Sequence, residues 1–304
     1  MKIIVTGSTG LVGKALVGSL LSEGHSVTRL VRGNAQTFSA PATTAVEWNP
    51  DAGTIDAAAL EGHDGAVHLA GESVSEGRWT DEKKRRILES RVKGTRLIAE
   101  TLAALERKPS ALVCASAIGF YGNRGGEVLR EESASGDDFL SEVCREWEKA
   151  ALPASRAGIR VAHLRIGVVL SGEGGALPKM LAPFKMGVGG RIGSGEQYMS
   201  WVALDDVIGI IRHALTNEAV RGPVNTVAPA PVTNGEFTKT LGRVLGRPTF
   251  FTVPAFAARL AFGEMADALL LSSARVEPAQ LKATGYRFAY PELEGALRHV
   301  LHKS

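Results

Sequence analysis

The chain has 304 residues, 44% of them hydrophobic and 22% charged, the proportions of an ordinary globular protein with room for one large domain and an appended lobe or for two small domains. A net charge of +3 is too small for a polyanion-binding surface, so nucleic acid is not an expected partner. With only Cys114 and Cys144 there is no disulfide framework, and a reducing compartment is the default.

The first expected element is a buried parallel strand, Lys2-Ile3-Ile4-Val5, which breaks into Thr6-Gly7-Ser8-Thr9-Gly10-Leu11-Val12-Gly13 and then into apolar residues at helical spacing. A core strand at the start, in place of a charged segment feeding an apolar one, argues against a cleaved signal peptide. Glycine lacks a Cβ, so Gly7 can turn sharply, Gly10 lets backbone N–H groups approach a diphosphate and Gly13 lets the helix lie tight on the strand. The positive helix end then faces the phosphates. Gly7, Thr9, Gly10, Leu11, Val12 and Gly13 are therefore the candidate dinucleotide-binding turn.

The second strand, Ser26-Val27-Thr28-Arg29-Leu30-Val31-Arg32, ends in Gly33-Asn34 where a nucleotide fold meets the adenosine ribose. An acid there would repel a 2′-phosphate and an arginine attracts it; Val31 followed by Arg32, with no Asp or Glu in the strand, favours NADP over NAD. Arg32 is the main phosphate candidate and Arg29 the second. Ala45-Val46-Glu47-Trp48 reads as a third strand, and a fourth, from Gly65, ends in Leu69-Ala70-Gly71, small residues that let a flat cofactor pass close to the backbone. His68, inside that apolar run, reads as a core histidine.

Thr80 caps a helix whose lysines and arginines are interspersed with Glu82, Glu89 and Glu100, the pattern of a solvated face and not of a nucleic-acid surface. A fifth strand, Ala111-Leu112-Val113-Cys114-Ala115-Ser116, is followed by Ala117-Ile118-Gly119-Phe120-Tyr121-Gly122, so that Ser116 and Tyr121 emerge at the same edge as the glycine turn. Cys114 reads as inert core. After a polar loop and the helix holding Cys144-Arg145-Glu146-Trp147-Glu148-Lys149, Arg160-Val161-Ala162-His163-Leu164-Arg165-Ile166 makes a sixth strand.

This alternation predicts an α/β fold with a doubly wound parallel sheet, a Rossmann core over residues 1–170. Residues 171–304, rich in glycine and punctuated by proline, are expected to be mostly a smaller substrate lobe, with 196–230 returning to the core. Residues 250–271 are apolar enough to suggest a membrane span, but Arg259, Glu264 and Asp267 interrupt them at helical spacing, which predicts an amphipathic helix packed on the protein. No membrane partner and a cytoplasmic location are the expectation. The histidines are scattered, so no metal site is expected.

In this order the pieces resemble the extended short-chain dehydrogenase/reductase superfamily, which includes nucleotide-sugar epimerases and dehydratases. The matching residues are Gly7-x-x-Gly10-x-x-Gly13, Leu69-Ala70-Gly71, Arg91-Val92-Lys93-Gly94-Thr95, where relatives usually begin with Asn, and the run from Ala115 to Gly122. Leu69-Ala70-Gly71-Glu72, Arg78-Trp79-Thr80, Trp147-Glu148, Leu164-Arg165-Ile166-Gly167-Val168-Val169-Leu170, Gly193-Ser194-Gly195 and the Leu281-Lys282-Ala283-Thr284-Gly285-Tyr286 tail look like an atypical NADP-binding branch known only as epimerase family proteins, with its own C-terminal domain.

The resemblance implies cofactor contacts at Arg91 and Val168 as well, and substrate contacts at Arg165, Tyr198 and Trp201, the last equally readable as core. It also exposes a departure. Ordinary members carry Tyr-x-x-x-Lys for proton transfer, and this chain has Cys144-Arg145-Glu146-Trp147-Glu148, with Lys149 turned about 100° away on a helix. A carboxylate raises the pKa of a neighbouring acid, so the ordinary relay is absent. Ser116 is left to hydrogen-bond a substrate oxygen, and Tyr121 either to act as a substitute acid or to pack beside the cofactor. Two functions follow: an NADP(H)-binding oxidoreductase or epimerase-like enzyme acting on a small polar substrate such as a nucleotide sugar, or an NADP(H)-sensing regulator that binds a protein partner.

Overall fold

The computed structural model describes residues 1–33 and 42–303; Asn34, read as the end of the second strand, lies outside them. Six strands are numbered here: β1 (Lys2–Thr6), β2 (Ser26–Val31), β3 (Thr43–Asn49), β4 (Thr54–Ile55), β5 (Gly65–His68) and β6 (Ala111–Ala117). With Arg160–Ile166 and Gly222–Thr226 they form one eight-stranded sheet in the order Gly222–Thr226, Arg160–Ile166, β6, β5, β1, β2, β3, β4. Every neighbouring pair is parallel except β3 with the short β4. Parallel strands covered on both faces are apolar throughout, and Ile3, Ile4 and Val5 have no accessible surface.

The chain winds outward from β1 in both directions, so the order reverses between β1 and β5. In such sheets the crevice beyond the carboxyl ends at that reversal takes the ligand. Helix α1 (Leu11–Ser22) covers one face with Leu204–Thr216, packing Leu16 and Leu20 against Val207 and Ile211. Helix α2 (Asp81–Ala104) covers the other, burying Ile98 and Leu102 against Ala154. Thr80 caps α2 by accepting from the Lys83 amide, and Asp138 caps α3 (Phe139–Lys149) by accepting from Ser141.

A second core, including Leu181, Phe184, Trp201, Phe237 and Leu297, holds the C-terminal lobe together. Asp206 ties that lobe to the sheet by accepting the Ala289 and Tyr290 amides at 2.8 and 3.0 Å. The amphipathic helix expected over 250–271 is not formed. The segment divides into a strand Phe251–Val253, a helix Ala255–Phe262 and a further short helical stretch, Glu264–Ala266 running into a π-helical turn Asp267–Leu271, the two helical parts separated at Gly263 by a φ of +60° that only glycine adopts readily. Only part of the segment packs down: Ala258 and Ala266 are buried, whereas Phe250, Phe256 and Leu260 are 90%, 72% and 77% exposed. Among the described residues no helix is long and apolar enough to cross a membrane.

Candidate cofactor and proton-transfer site

The glycine turn stands at the carboxyl end of β1. Gly7 has φ +66°, and a Cβ on it would lie 2.7 Å from the Leu69 carbonyl carbon. A Cβ on Gly13 would run into the Gly7 carbonyl oxygen, so both glycines are required by the protein's own packing. Gly10 is different. Its Cβ would meet only an ordinary 3.4 Å contact, and its free face opens to solvent at the start of α1, where the first-turn amides of Leu11, Val12 and Gly13 have no intrahelical acceptor. The cradle therefore fits a diphosphate. Thr6 closes its back, its hydroxyl accepting the Leu69 and Ala70 amides at 3.1 and 3.2 Å and donating to His68 Nδ1 at 2.8 Å. His68 is buried with its Nε2 unpartnered among the described residues, and burial pushes its pKa down to about 4, so it stays neutral.

Cations rim the cradle. Arg29 Nε donates to Ser8 Oγ at 3.0 Å, which fixes it to the turn, while Arg32 is exposed at the end of β2. Glu72, just past Leu69-Ala70-Gly71, accepts from Lys83 Nζ at 2.6 Å; that bond and the charges of Lys83, Arg86 and Arg32 hold its carboxyl below the usual range. Arg91 Nη1 donates to the carbonyls of Glu72 and Ile87 at 2.9 and 3.0 Å, its guanidinium lies 4.9 Å from the Trp147 ring, and a Cβ on Gly71 would be 3.3 Å from it. It is a fixed positive charge directly under the strand end.

Ser116 leads into a buried polar chain. Its Oγ donates to Glu148 Oε1 at 2.7 Å, and Glu148 is clamped in fork geometry by Arg165, Nε to Oε1 at 2.9 Å and Nη2 to Oε2 at 3.0 Å. Arg165 Nη1 donates to the Tyr121 hydroxyl at 3.0 Å and to the Glu131 carbonyl at 3.1 Å. The guanidinium also lies 3.4 Å from the Phe120 ring centre. Tyr121 reaches Asn225 Oδ1 at 2.6 Å and the Arg130 carbonyl at 2.9 Å. Burial, and secondarily the Glu148 charge, push the Cys144 thiol up to about 12, so at neutral pH it is a protonated thiol with its Sγ 3.6 Å from the Ala117 carbonyl oxygen.

Gly7 to Gly13, Val31, Leu69, Ala70, Gly71, Arg91 and Ser116 thus come together at one edge. Val168 lies on the strand pair it forms with Trp201, next to the sheet. Three readings change. Tyr121 has no accessible surface, and burial raises its pKa, so it offers no acid to a substrate and instead holds Arg165. Arg165 is 3% exposed with its nitrogens committed to Glu148, Tyr121 and Glu131, which makes it a clamp and not a substrate contact. Trp201 is fully buried and its indole N–H donates to the Ala230 carbonyl at 3.1 Å. Tyr198 remains partly exposed, its ring 5.0 Å from the Arg275 guanidinium. Glu148 and Asn225 were not among the expected site residues. The signal for Glu148 was the charge reversal at the usual lysine position, since a buried carboxylate demands a buried cation and Arg165 is the arginine of the neighbouring strand. A cavity of about 870 Å³ opens at the opposite edge of the sheet, by Met1, Ser110, Arg160 and Gly222, away from all of these residues.

The NAD dependent epimerase/dehydratase family matches residues 3–227, and a domain of unknown function matches residues 253–300. An epimerase family protein of Mycobacterium bovis is 40% identical over 98% of this chain and 97% of its own. The crystal structure of a human epimerase family protein with NADPH superimposes with a TM-score of 0.89, at 36% identity, covering 99% of both chains. A structure described as the nucleoside-diphosphate sugar epimerase from Corynebacterium glutamicum gives 0.81 at 40% identity, covering all of this chain and 59% of that one. The chain belongs to the NAD dependent epimerase/dehydratase family.

Proposed function

We propose that this family member is an NADP(H)-binding oxidoreductase or epimerase-like enzyme acting on a small polar substrate, with nucleotide sugars the leading class. The observation that carries the reading is the fit of the Gly7-to-Gly13 cradle, supported by the NADPH in the human relative. The turn amides would hold the diphosphate, Arg32 the 2′-phosphate, and Val31, Leu69, Ala70, Gly71, Arg91 and Val168 the rest of the cofactor. The cofactor, when bound, supplies or accepts a hydride. Residues 1–170 with 196–230 form the cofactor core, and the remaining C-terminal segments close over the substrate, where Tyr198 contacts it. A cytoplasmic location belongs to the same reading.

Ser116 already donates its one proton to Glu148, so toward the cleft it presents lone pairs. It therefore accepts a proton from a substrate hydroxyl while its own passes to Glu148, a relay in which a carboxylate stands where relatives use Tyr and Lys. Glu148 acts through Ser116, and Arg165 and Tyr121 keep it in place.

Fluorescence titration tests the cofactor. NADPH is expected to bind more tightly than NADH, and Arg32→Ala to weaken NADPH by about 10-fold or more, since a hydrogen bond to a charged group is worth roughly 1.5–3 kcal/mol. Equal affinities, or an Arg32→Ala protein that binds NADPH unchanged, would end the 2′-phosphate argument. A carbonyl and nucleotide-sugar panel tests the enzyme, with turnover lost in Ser116→Ala and Glu148→Gln. NADPH binding without turnover on any member favours the sensing reading, which the 3% exposure of Ser116 supports.

A further inference from the structure

Residues 250–262 with Met186 present an apolar surface that the fold leaves uncovered. Phe250, Phe256, Leu260 and Met186 are 90%, 72%, 77% and 71% exposed, and Phe251 and Phe262 are 53% and 44%. Phe256 and Leu260 are four apart on one helix and so lie on one face. Strand pairing joins the two parts of the surface, because Gly190–Ile192, just beyond Met186, pairs with Phe251–Val253. Apolar surface concentrated in this way marks an interaction site.

The charges around it select the partner. Glu264 is paired with Lys84, and Asp267 with Arg259 at 2.9 Å, so the two acids of this segment are neutralised, and Arg78 brings a further cation against it by donating to the Leu260 carbonyl at 3.0 Å. Lys185, Arg191 and Arg247 are exposed, flank the apolar residues in sequence or across the strand pair, and make no ion pair among the described residues. A second copy meeting this surface about a two-fold axis would bring the same cations against themselves. Side chains this exposed also protrude, whereas a small-molecule site is concave. Exposed aromatic and aliphatic side chains flanked by unpaired cations match a membrane interface carrying anionic headgroups.

We propose that this surface docks the protein onto an anionic lipid bilayer, with Phe250, Phe256, Leu260 and Met186 entering the headgroup region and Lys185, Arg191 and Arg247 contacting lipid phosphates. The segment lies on the membrane and does not span it, which agrees with the lack of a spanning helix among the described residues.

Co-sedimentation of the full chain with vesicles tests this. Vesicles of phosphatidylcholine with 30 mol% phosphatidylglycerol are expected to pellet the protein, and neutral phosphatidylcholine vesicles are not. Binding should fall at least tenfold between 50 and 500 mM NaCl, and by at least as much in Phe256→Ser/Leu260→Ser and in Lys185→Glu/Arg247→Glu. All four side chains are exposed, and an unchanged melting temperature confirms that each variant is folded. The proposal is overturned if the wild type stays in the supernatant with anionic vesicles, if neutral vesicles bind it as well, or if both variants bind as the wild type does. Self-association abolished by Phe256→Ser/Leu260→Ser, with vesicles left unbound, would assign the surface to a second copy and overturn it equally.

Discussion

Glu148 and Arg165 form an ion pair beneath the cofactor edge with side chains 13% and 4% exposed, while Phe250 and Leu260 stand in solvent at 90% and 77%. Each departs from the rule that charges stay outside and apolar groups inside, in opposite directions. The fold answers the first departure fully, giving each guanidinium nitrogen of Arg165 an acceptor and each oxygen of Glu148 a donor. It makes no answer to the second. A buried ion pair is weak evidence for stability, because well-packed apolar residues do as well; exposed phenylalanines add almost no hydrophobic stabilisation. Neither region is explained by folding alone. Under the proposed function the buried pair serves Ser116, and under the docking proposal the uncovered surface serves a partner outside the chain.

The largest effect should come from breaking the buried pair from one side. Arg165→Met leaves Glu148 as an unpaired carboxylate next to Ser116 and removes the donor to Tyr121, which should cost about 3–5 kcal/mol in urea unfolding. Arg165→Met with Glu148→Gln removes both charges and is expected to recover more than half of that loss. A single-variant loss under about 1 kcal/mol would mean that the pair is solvated like a surface pair, and the contrast between the two regions would fail.

His68 sharpens the contrast on its buried side, since it has no charged partner and remains inside by staying neutral. Burial lowers its pKa from 6.5 to about 4. A depressed folded-state pKa contributes stability that is fully present above pH 6.5 and is lost as the pH falls toward 4, because the unfolded chain takes up the proton first. The loss attributable to His68 should approach about 3 kcal/mol at roughly 1.4 kcal/mol per pH unit. His68→Asn, which keeps an acceptor for Thr6, should flatten the slope between pH 6.5 and 4. His163 and His213, which burial also lowers, add to the slope, and toward its acid end so do carboxylates held below their ordinary range, such as Glu72 beside Lys83. An unchanged slope would show that His68 is protonated in the folded protein.

The apolar run of β1, the glycine spacing and the small residues ending at Gly71 were legible in the sequence because each has one local cause: strand burial, a left-handed turn or a close backbone approach. The site at Ser116 was half legible. That the strand delivers Ser116 to the cofactor edge follows from alternating strands and helices, but the turn at Ile118–Tyr121 swings the Tyr121 ring inward, and that depends on Arg165 and Asn225, which are 44 and 104 residues away. The family resemblance implies substrate contacts at Arg165 and Trp201, the latter equally readable as core, and only tertiary packing shows where they point. Residues 250–271 failed differently. Charges at helical spacing fix which face of a helix is polar, but they do not establish that anything lies opposite the apolar face.

The smallest expected effect tests that last point most directly. Phe256→Ala and Leu260→Ala each remove side-chain atoms that are already in water, so unfolding should change by less than about 0.5 kcal/mol. Phe184 belongs to the core of the same lobe and is 5% exposed, so the same substitution there leaves a cavity and should cost as much as breaking the Glu148 pair. Comparing the two phenylalanines within one lobe cancels differences in the unfolded chain, because both variants lose the same side chain. If Phe256→Ala cost 2 kcal/mol or more, that ring would be packed in solution against this chain or a second copy; the surface would then belong to the fold, and no outside partner would be needed to account for it.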